Sequence, residues 1–280
     1  MKKESLGSKI FSYVSMTIIA LIILVPVVWG ISLAFRTNME IISMSGININ
    51  TFIPKNFTMD GFTRMFSKLD FLVVFKNTIF VSAVVTFGSM LLNTMAGYAF
   101  ARIDFVGKKA LFLLVVATLI MPIEVLIVPL YMQVTSMKMV NTFSSLIIPF
   151  LASGFGIFFM RQFFTTIPKE LDESAYLDGC GRYRTFFHIL LPLSKTPLIT
   201  LGLIAFLAQW DSFVIPVTFM SGRSKMLLQV ALSYLSFDEL INDIPLVFAG
   251  LIVASVPVVI LFVSLQKYYV AGIATSGLKG

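Results

Sequence analysis

Arg161–Lys195 reads RQFFTTIPKELDESAYLDGCGRYRTFFHILLPLSK and lies between two apolar runs long enough to cross a membrane. It is not built like a plain connector. Pro168, followed by Glu170, Asp172 and Glu173, predicts a helix start, because proline suits the first helical turn and carboxylates favour the positive end of the helix dipole. Gly179 predicts the stop, since glycine accepts the left-handed conformation that closes many helices. Further on, Tyr183, Phe186, Phe187 and Leu190 recur at i, i+3, i+4 and i+7. That spacing predicts a second short helix with one apolar face, the rest being Arg182, Arg184, Thr185 and His188. Pro192 and Pro197 then turn the chain toward the next apolar run.

Outward from this loop, six stretches are apolar for the roughly 20 residues that a membrane-crossing helix needs. They are about Ile10–Phe35, Thr78–Ala101, Ala110–Val134, Phe143–Met160, Thr196–Met220 and Val247–Gln266. The first follows Lys2, Lys3 and Lys9 as a signal peptide would, but its apolar run is about twice a normal one and no small-residue cleavage site follows. It reads as a retained anchor helix. The expected fold is therefore all-α and polytopic, with six transmembrane helices. Residues 1–71 hold the first helix and an external segment, residues 72–268 a five-helix domain with its loop at about 165–192, and residues 269–280 a short, glycine-containing flexible tail.

Composition agrees with this reading. Of 280 residues, 58% are hydrophobic and 12% charged, against about 25% charged in an ordinary soluble domain. The net charge of +7 would suit nucleic acid, yet the basic residues sit in short runs between apolar stretches. With the N-terminus in the cytoplasm, 13 of the 21 lysines and arginines fall inside and 8 outside, so the positive-inside rule places both termini in the cytoplasm. Two external segments, Arg36–Lys76 and Ser221–Pro245, are long enough to fold. Phe57, Phe62 and Phe66 in the first read either as interfacial aromatics of a cap over the helix ends or as part of a docking surface. Cys180 has no second cysteine to pair with, and His188 is the single histidine, on the polar side of its helix. No G-x-x-x-x-G-K-[ST] is present, so ATP, if it drives this protein, is bound elsewhere.

Glu173-Ser174-Ala175, then Gly179, then Ile189-Leu190-Leu191-Pro192 resembles the EAA motif of binding-protein-dependent ABC importer permeases. In that family the motif is E-A-A, a glycine four residues later and a distal I-x-L-P. Ser174 and Cys180 stand where alanine is usual, and both are small. The resemblance runs along nearly the whole chain, most strongly toward the maltose-type permease of carbohydrate importers. Asn77-Thr78, the run Ala96–Arg102, Met121-Pro122, Pro129-Leu130-Tyr131, Asn141-Thr142, Arg161–Phe164, Ile167-Pro168, Gln209–Phe213 and the ending Gly277–Gly280 all look like that family, in order.

The resemblance implies a transport subunit that performs no bond chemistry. It pairs with a second, related permease above two ATPase subunits, which bind the ATP and magnesium. An extracellular solute-binding protein delivers the sugar. Glu173, Ser174, Ala175, Gly179, Ile189, Leu191 and Pro192 are then the ATPase-coupling residues. Glu173 is expected to meet a basic group, and Ala175 to stay small so that the helix enters a cleft. The tail is expected to reach between the ATPase subunits.

The substrate path is read from polar groups at membrane depth. Glu124, between Pro122 and Pro129, is an intramembrane acid that either faces the path or pairs with the partner subunit. Gln209, Trp210 and Asp211 set hydrogen-bonding groups beside an aromatic platform, or else pack between helices. Asn93 is a further candidate, although an amide in a span often only joins helices. Two rivals remain open: an ABC permease for a non-sugar solute, and an ion-coupled secondary transporter. The second would usually carry several intramembrane acids or repeat symmetry, whereas Glu124 and Asp211 are the central acids here.

Overall fold

The computed structural model describes residues 6–44, 46, 48–68, 70–239 and 243–276. In chain order the helices are α1 (Leu6–Ala34), α2 (Asn38–Ile42), α3 (Asp60–Lys68), α4 (Phe71–Arg102), α5 (Lys108–Ala117), α6 (Ile123–Ser136), α7 (Phe143–Ile147) and α8 (Gly154–Thr166). They continue with α9 (Glu170–Leu177), α10 (Arg182–Thr185), α11 (Leu191–Leu193), α12 (Lys195–Trp210), α13 (Val214–Phe219), α14 (Leu228–Glu239) and α15 (Ile244–Ser276). No strand occurs among the described residues. Four spans are long and apolar enough to cross a membrane, and the count reaches 6 if each of two bent helix pairs is one span. The protein is an all-α, multi-pass membrane protein.

A bend corrects the span expected over Ala110–Val134, and the end of another differs too. Residues Lys108–Ile120 and Ile123–Ser136 meet at 111°. Met121 is extended there and Pro122 caps α6, because a residue before proline is driven out of the helical region. Pro129, in contrast, sits inside α6 without ending it. The span expected over Phe143–Met160 is found and extends over Phe143–Thr166, with a 3₁₀ turn around Pro149 and a cap at Ser153, whose hydroxyl accepts the Gly156 N–H. The span expected over Thr196–Met220 ends at Trp210, with α13 following as a separate short helix. The last helix runs on to Ser276, so the flexible tail expected from Ala271 begins as helix. Gly277–Gly280, and Lys2, Lys3 and Lys279 of the charge count, lie outside the described residues.

Two compact units divide the chain: Met1–Phe71 with Ala231–Val256, and Leu72–Val230 with Pro257–Gly280. In the first, the expected cap is an ordered knot around Arg36, which is 1% exposed. Its guanidinium donates to Glu40 Oε1 at 2.6 Å, to the Ser32 hydroxyl and to the Asn50 carbonyl. Glu40 in turn accepts the Lys55 and Asn56 backbone N–H groups. A buried pair is tolerable only with such complete partnering. Phe35 stacks on Phe57 at 5.0 Å and lies against Phe62 at 5.1 Å, while Phe57 keeps 67% of its surface exposed. Arg64 forks onto Asp243 at 2.7 and 2.8 Å, and Gly61 lies so close to the Pro245 backbone that a Cβ would sit 2.9 Å from it.

In the second unit, α4 is the long axial element. Its valines Val81 and Val85 join Val134, Leu146, Ile215 and Phe219 in one buried cluster. Tyr98 joins Met160, Phe164, Phe186, Leu190 and Leu201 in another. The second cluster is the seat of the loop.

Candidate functional site

The loop is anchored by local chemistry before it is anchored by packing. Ile167 is extended ahead of Pro168, and α9 opens with Glu170, Asp172 and Glu173 in its first turn, as the dipole favours. At its end Gly179 has φ +78°. The Cys180 N–H reaches the Ala175 carbonyl at 2.8 Å and the Gly179 N–H the Tyr176 carbonyl at 3.0 Å. That pair of bonds is the Schellman closure.

The helix has two unlike sides. Asp172 and Ala175 are turned inward, Ala175 to 3% exposure, whereas Glu173, Ser174 and Tyr176 face out and Leu177 is 90% exposed. Ala175 packs within this chain, which by itself requires a small side chain there. Burial pushes the Asp172 carboxyl above its ordinary value, while Arg102, a backbone hydrogen bond and Lys169 pull it back.

After Gly181 the second helix departs from the simple periodicity. A π turn occupies Phe186–Leu190, which widens the repeat. Thr185, Phe186 and Leu190 are buried, while Tyr183 is 80% and Phe187 42% exposed. Of the motif's distal residues, Ile189 and Leu191 are half-buried and Pro192 is exposed. The Arg182–Leu193 segment bends 80° into α12 at Ser194, whose hydroxyl donates to the Leu190 carbonyl at 2.6 Å. The bend relieves Pro197, which has no N–H for a straight helix to use.

The substrate-path candidates separate. Asn93 is fully buried, donates to the Ser89 hydroxyl at 2.6 Å and accepts the Ser153 N–H at 2.9 Å. It joins helices. Trp210 is 1% exposed, stacked on Phe206 at 5.4 Å and met edge-on by Phe75 at 5.7 Å. It offers no open face to a sugar. Gln209 is half-buried, Asp211 is exposed at the end of α12, and Glu124 is exposed in the first turn of α6. Asp211 accepts a hydrogen bond from Gln229 at 3.3 Å, a residue that sequence reasoning missed because it lies in a segment read as external. Among the described residues no group of three or more His, Cys, Asp or Glu is placed to hold a metal.

The family model described as binding-protein-dependent transport system inner membrane component matches residues 93–275. An arabinooligosaccharides transport system permease protein of Halalkalibacterium halodurans is 34% identical over 94% of this chain and 93% of its own length. A diacetylchitobiose uptake system permease protein of Streptomyces coelicolor is 28% identical, covering 92% of this chain and 84% of its own. A trehalose/maltose transport system permease protein of Thermococcus litoralis is 26% identical over 99% of both. In three dimensions, a chain of a bacterial ABC transporter that imports the acidic polysaccharide alginate superposes with a TM-score of 0.83, covering 96% of this chain and 100% of that one, at 20% identity.

Proposed function

Because this chain belongs to the family of binding-protein-dependent transport system inner membrane components, we propose that it is the permease subunit of an ATP-driven importer whose cargo is a carbohydrate, and more narrowly an oligosaccharide. The sugar class rests on the relatives, which are named for arabinooligosaccharides, diacetylchitobiose and trehalose or maltose. ATP and magnesium are held by two copies of a separate ATPase, a second permease completes the path, and an extracellular binding protein loads it. Both termini lie in the cytoplasm, and lipid surrounds the apolar spans.

One observation carries the coupling role: α9 is closed at both ends by local chemistry, yet it shows Glu173, Ser174 and Leu177 to solvent. Leu177 at 90% and Tyr176 at 46% exposure put an apolar edge beside the acidic Glu173 on the outward side of α9. Glu173 and Ser174 make the polar contacts with the ATPase, Leu177 the apolar one, and Gly179 sets the turn. Ala175 holds the loop's shape from within, Ile189 and Leu191 pack in part against the chain, and exposed Pro192 sets the turn toward α12. On the substrate side, Glu124, Gln209 and Asp211, with Gln229, are the polar groups left for the path.

Reconstitution with the co-encoded partners tests the reading. Uptake of arabinooligosaccharides, diacetylchitobiose or maltose into proteoliposomes should require ATP and the binding protein. Uptake that survives ATP depletion and collapses with an ion gradient would establish the secondary-transporter alternative. ATP-dependent uptake of a peptide or polyamine, with none of these sugars, would overturn the cargo class.

A further inference from the structure

The C-terminal turn of α4 grips both halves of the loop, although α4 is far from it in sequence. Arg102 Nε lies 3.1 Å from Asp172 Oδ2, with side chains 7% and 12% exposed. The same guanidinium donates through Nη2 to the Ile167 carbonyl at 2.6 Å, just ahead of α9. One helical turn earlier, the Tyr98 hydroxyl donates to the Arg182 carbonyl at 3.4 Å and its ring lies 4.9 Å from that of Phe186. Arg102 Nε and Asp172 Oδ2 are buried without an aligned hydrogen bond, so charge and enclosure hold the pair. A buried ion pair adds little net stability over well-packed apolar residues. Its use here is geometric: it decides which helix α9 follows.

We propose that Arg102 and Tyr98 are positioning residues that lock the two loop helices to α4. Displacement of the loop is then delivered directly to the 32-residue α4, and not only to α8 and α12, to which the chain already connects it. This rests on the reading of the loop as the ATPase contact. Chain connectivity alone would let α9 swing on the residues either side of it. With Arg102 holding Asp172 and the Ile167 carbonyl, and Tyr98 holding the second helix, α9 cannot swing without leaving a buried charge unpaired.

The test uses the assembled transporter with Cys180→Ser and nitroxide labels at Val106→Cys, in the loop after α4, and Asp178→Cys, at the end of α9. The probe is Mg-ATP with vanadate. In the otherwise unchanged protein the label separation should be the same in nucleotide-free and trapped states, because the two sites move as one body. Arg102→Gln should make that separation shift on trapping. Asp172→Asn, which removes charge with little change of shape, should do the same if Arg102→Gln fails to accumulate. Arg102→Lys should preserve the constant separation in part. A separation that changes on trapping with Arg102 and Asp172 intact, or that stays constant in both disabling variants, overturns the proposal. Leu177→Asp, in a separate preparation, tests the underlying reading. Retention of the ATPase at full level would sink the docking role, whereas its loss together with a moving wild-type separation sinks only the α4 lock.

Discussion

At the scale of single residues, two glycines answer to different physics. Gly179 has φ +78° and nothing within 4 Å of a Cβ, so a side chain meets no atoms and the cost is backbone strain alone, about 1–2 kcal/mol. Gly179→Val is therefore expected to reduce co-purified ATPase, while Gly179→Asn, which tolerates the left-handed region, retains most of it. Equal loss in both would show that turn conformation is not what matters. Gly61 has ordinary φ, but its Cβ would sit 2.9 Å from the Pro245 backbone, which cannot move cheaply. Gly61→Ala should lower the thermal stability of the purified protein by about 1–3 kcal/mol, with no specific effect on ATPase retention. Arg36→Ala should cost more, about 3–5 kcal/mol, because Glu40 is left buried without its cation. Trp210→Ala removes a core ring wedged between Phe75 and Phe206, so loss of about 3–5 kcal/mol of stability is expected. Gln229→Ala and Asp211→Asn are the cleaner probes of the path.

At the scale of elements, what could be read in advance was what is local. The start of α9 at Pro168 and its acids, and its stop at Gly179, follow from rules that involve only neighbours in sequence. Which way α9 faces does not: Asp172 turns inward because Arg102, 70 positions earlier, awaits it, and no periodicity in eight residues of helix records that. The second helix follows its apolar spacing only in part: Phe186 and Leu190 are buried while Tyr183, in the regular turn before the π segment, is 80% exposed. Hydropathy likewise counts apolar residues and is blind to direction, so the 111° break at Met121-Pro122 looked like one span. Pro122→Ala restores an N–H and frees Met121 to be helical. Slower hydrogen exchange across residues 118–126 is the expected result, with transport reduced as the bend straightens. Unchanged exchange would mean that packing, not proline, makes the break.

At the scale of the whole molecule, the order of the apolar spans was legible because a bilayer demands long apolar runs. Cysteines placed singly near Lys108 and Lys169, in a Cys180→Ser background, should resist impermeant thiol reagents added outside intact cells, and those near Lys55 and Arg223 should react. Labelling at position 169 from outside would invert the orientation. What could not be read is how unequally the spans depend on one another. In the best 18-residue window of α1, 0% of the residues are buried inside the protein, against 39% for α4; only around Ser32, Leu33 and Ala34 is α1 enclosed. In the order of synthesis this gives the two helices different histories. The first satisfies its backbone internally, and most of its side chains need nothing from the rest of this chain. The other depends on chain not yet made when it is synthesised, since Asn93 and Arg102 find Ser153 and Asp172 only later in the sequence.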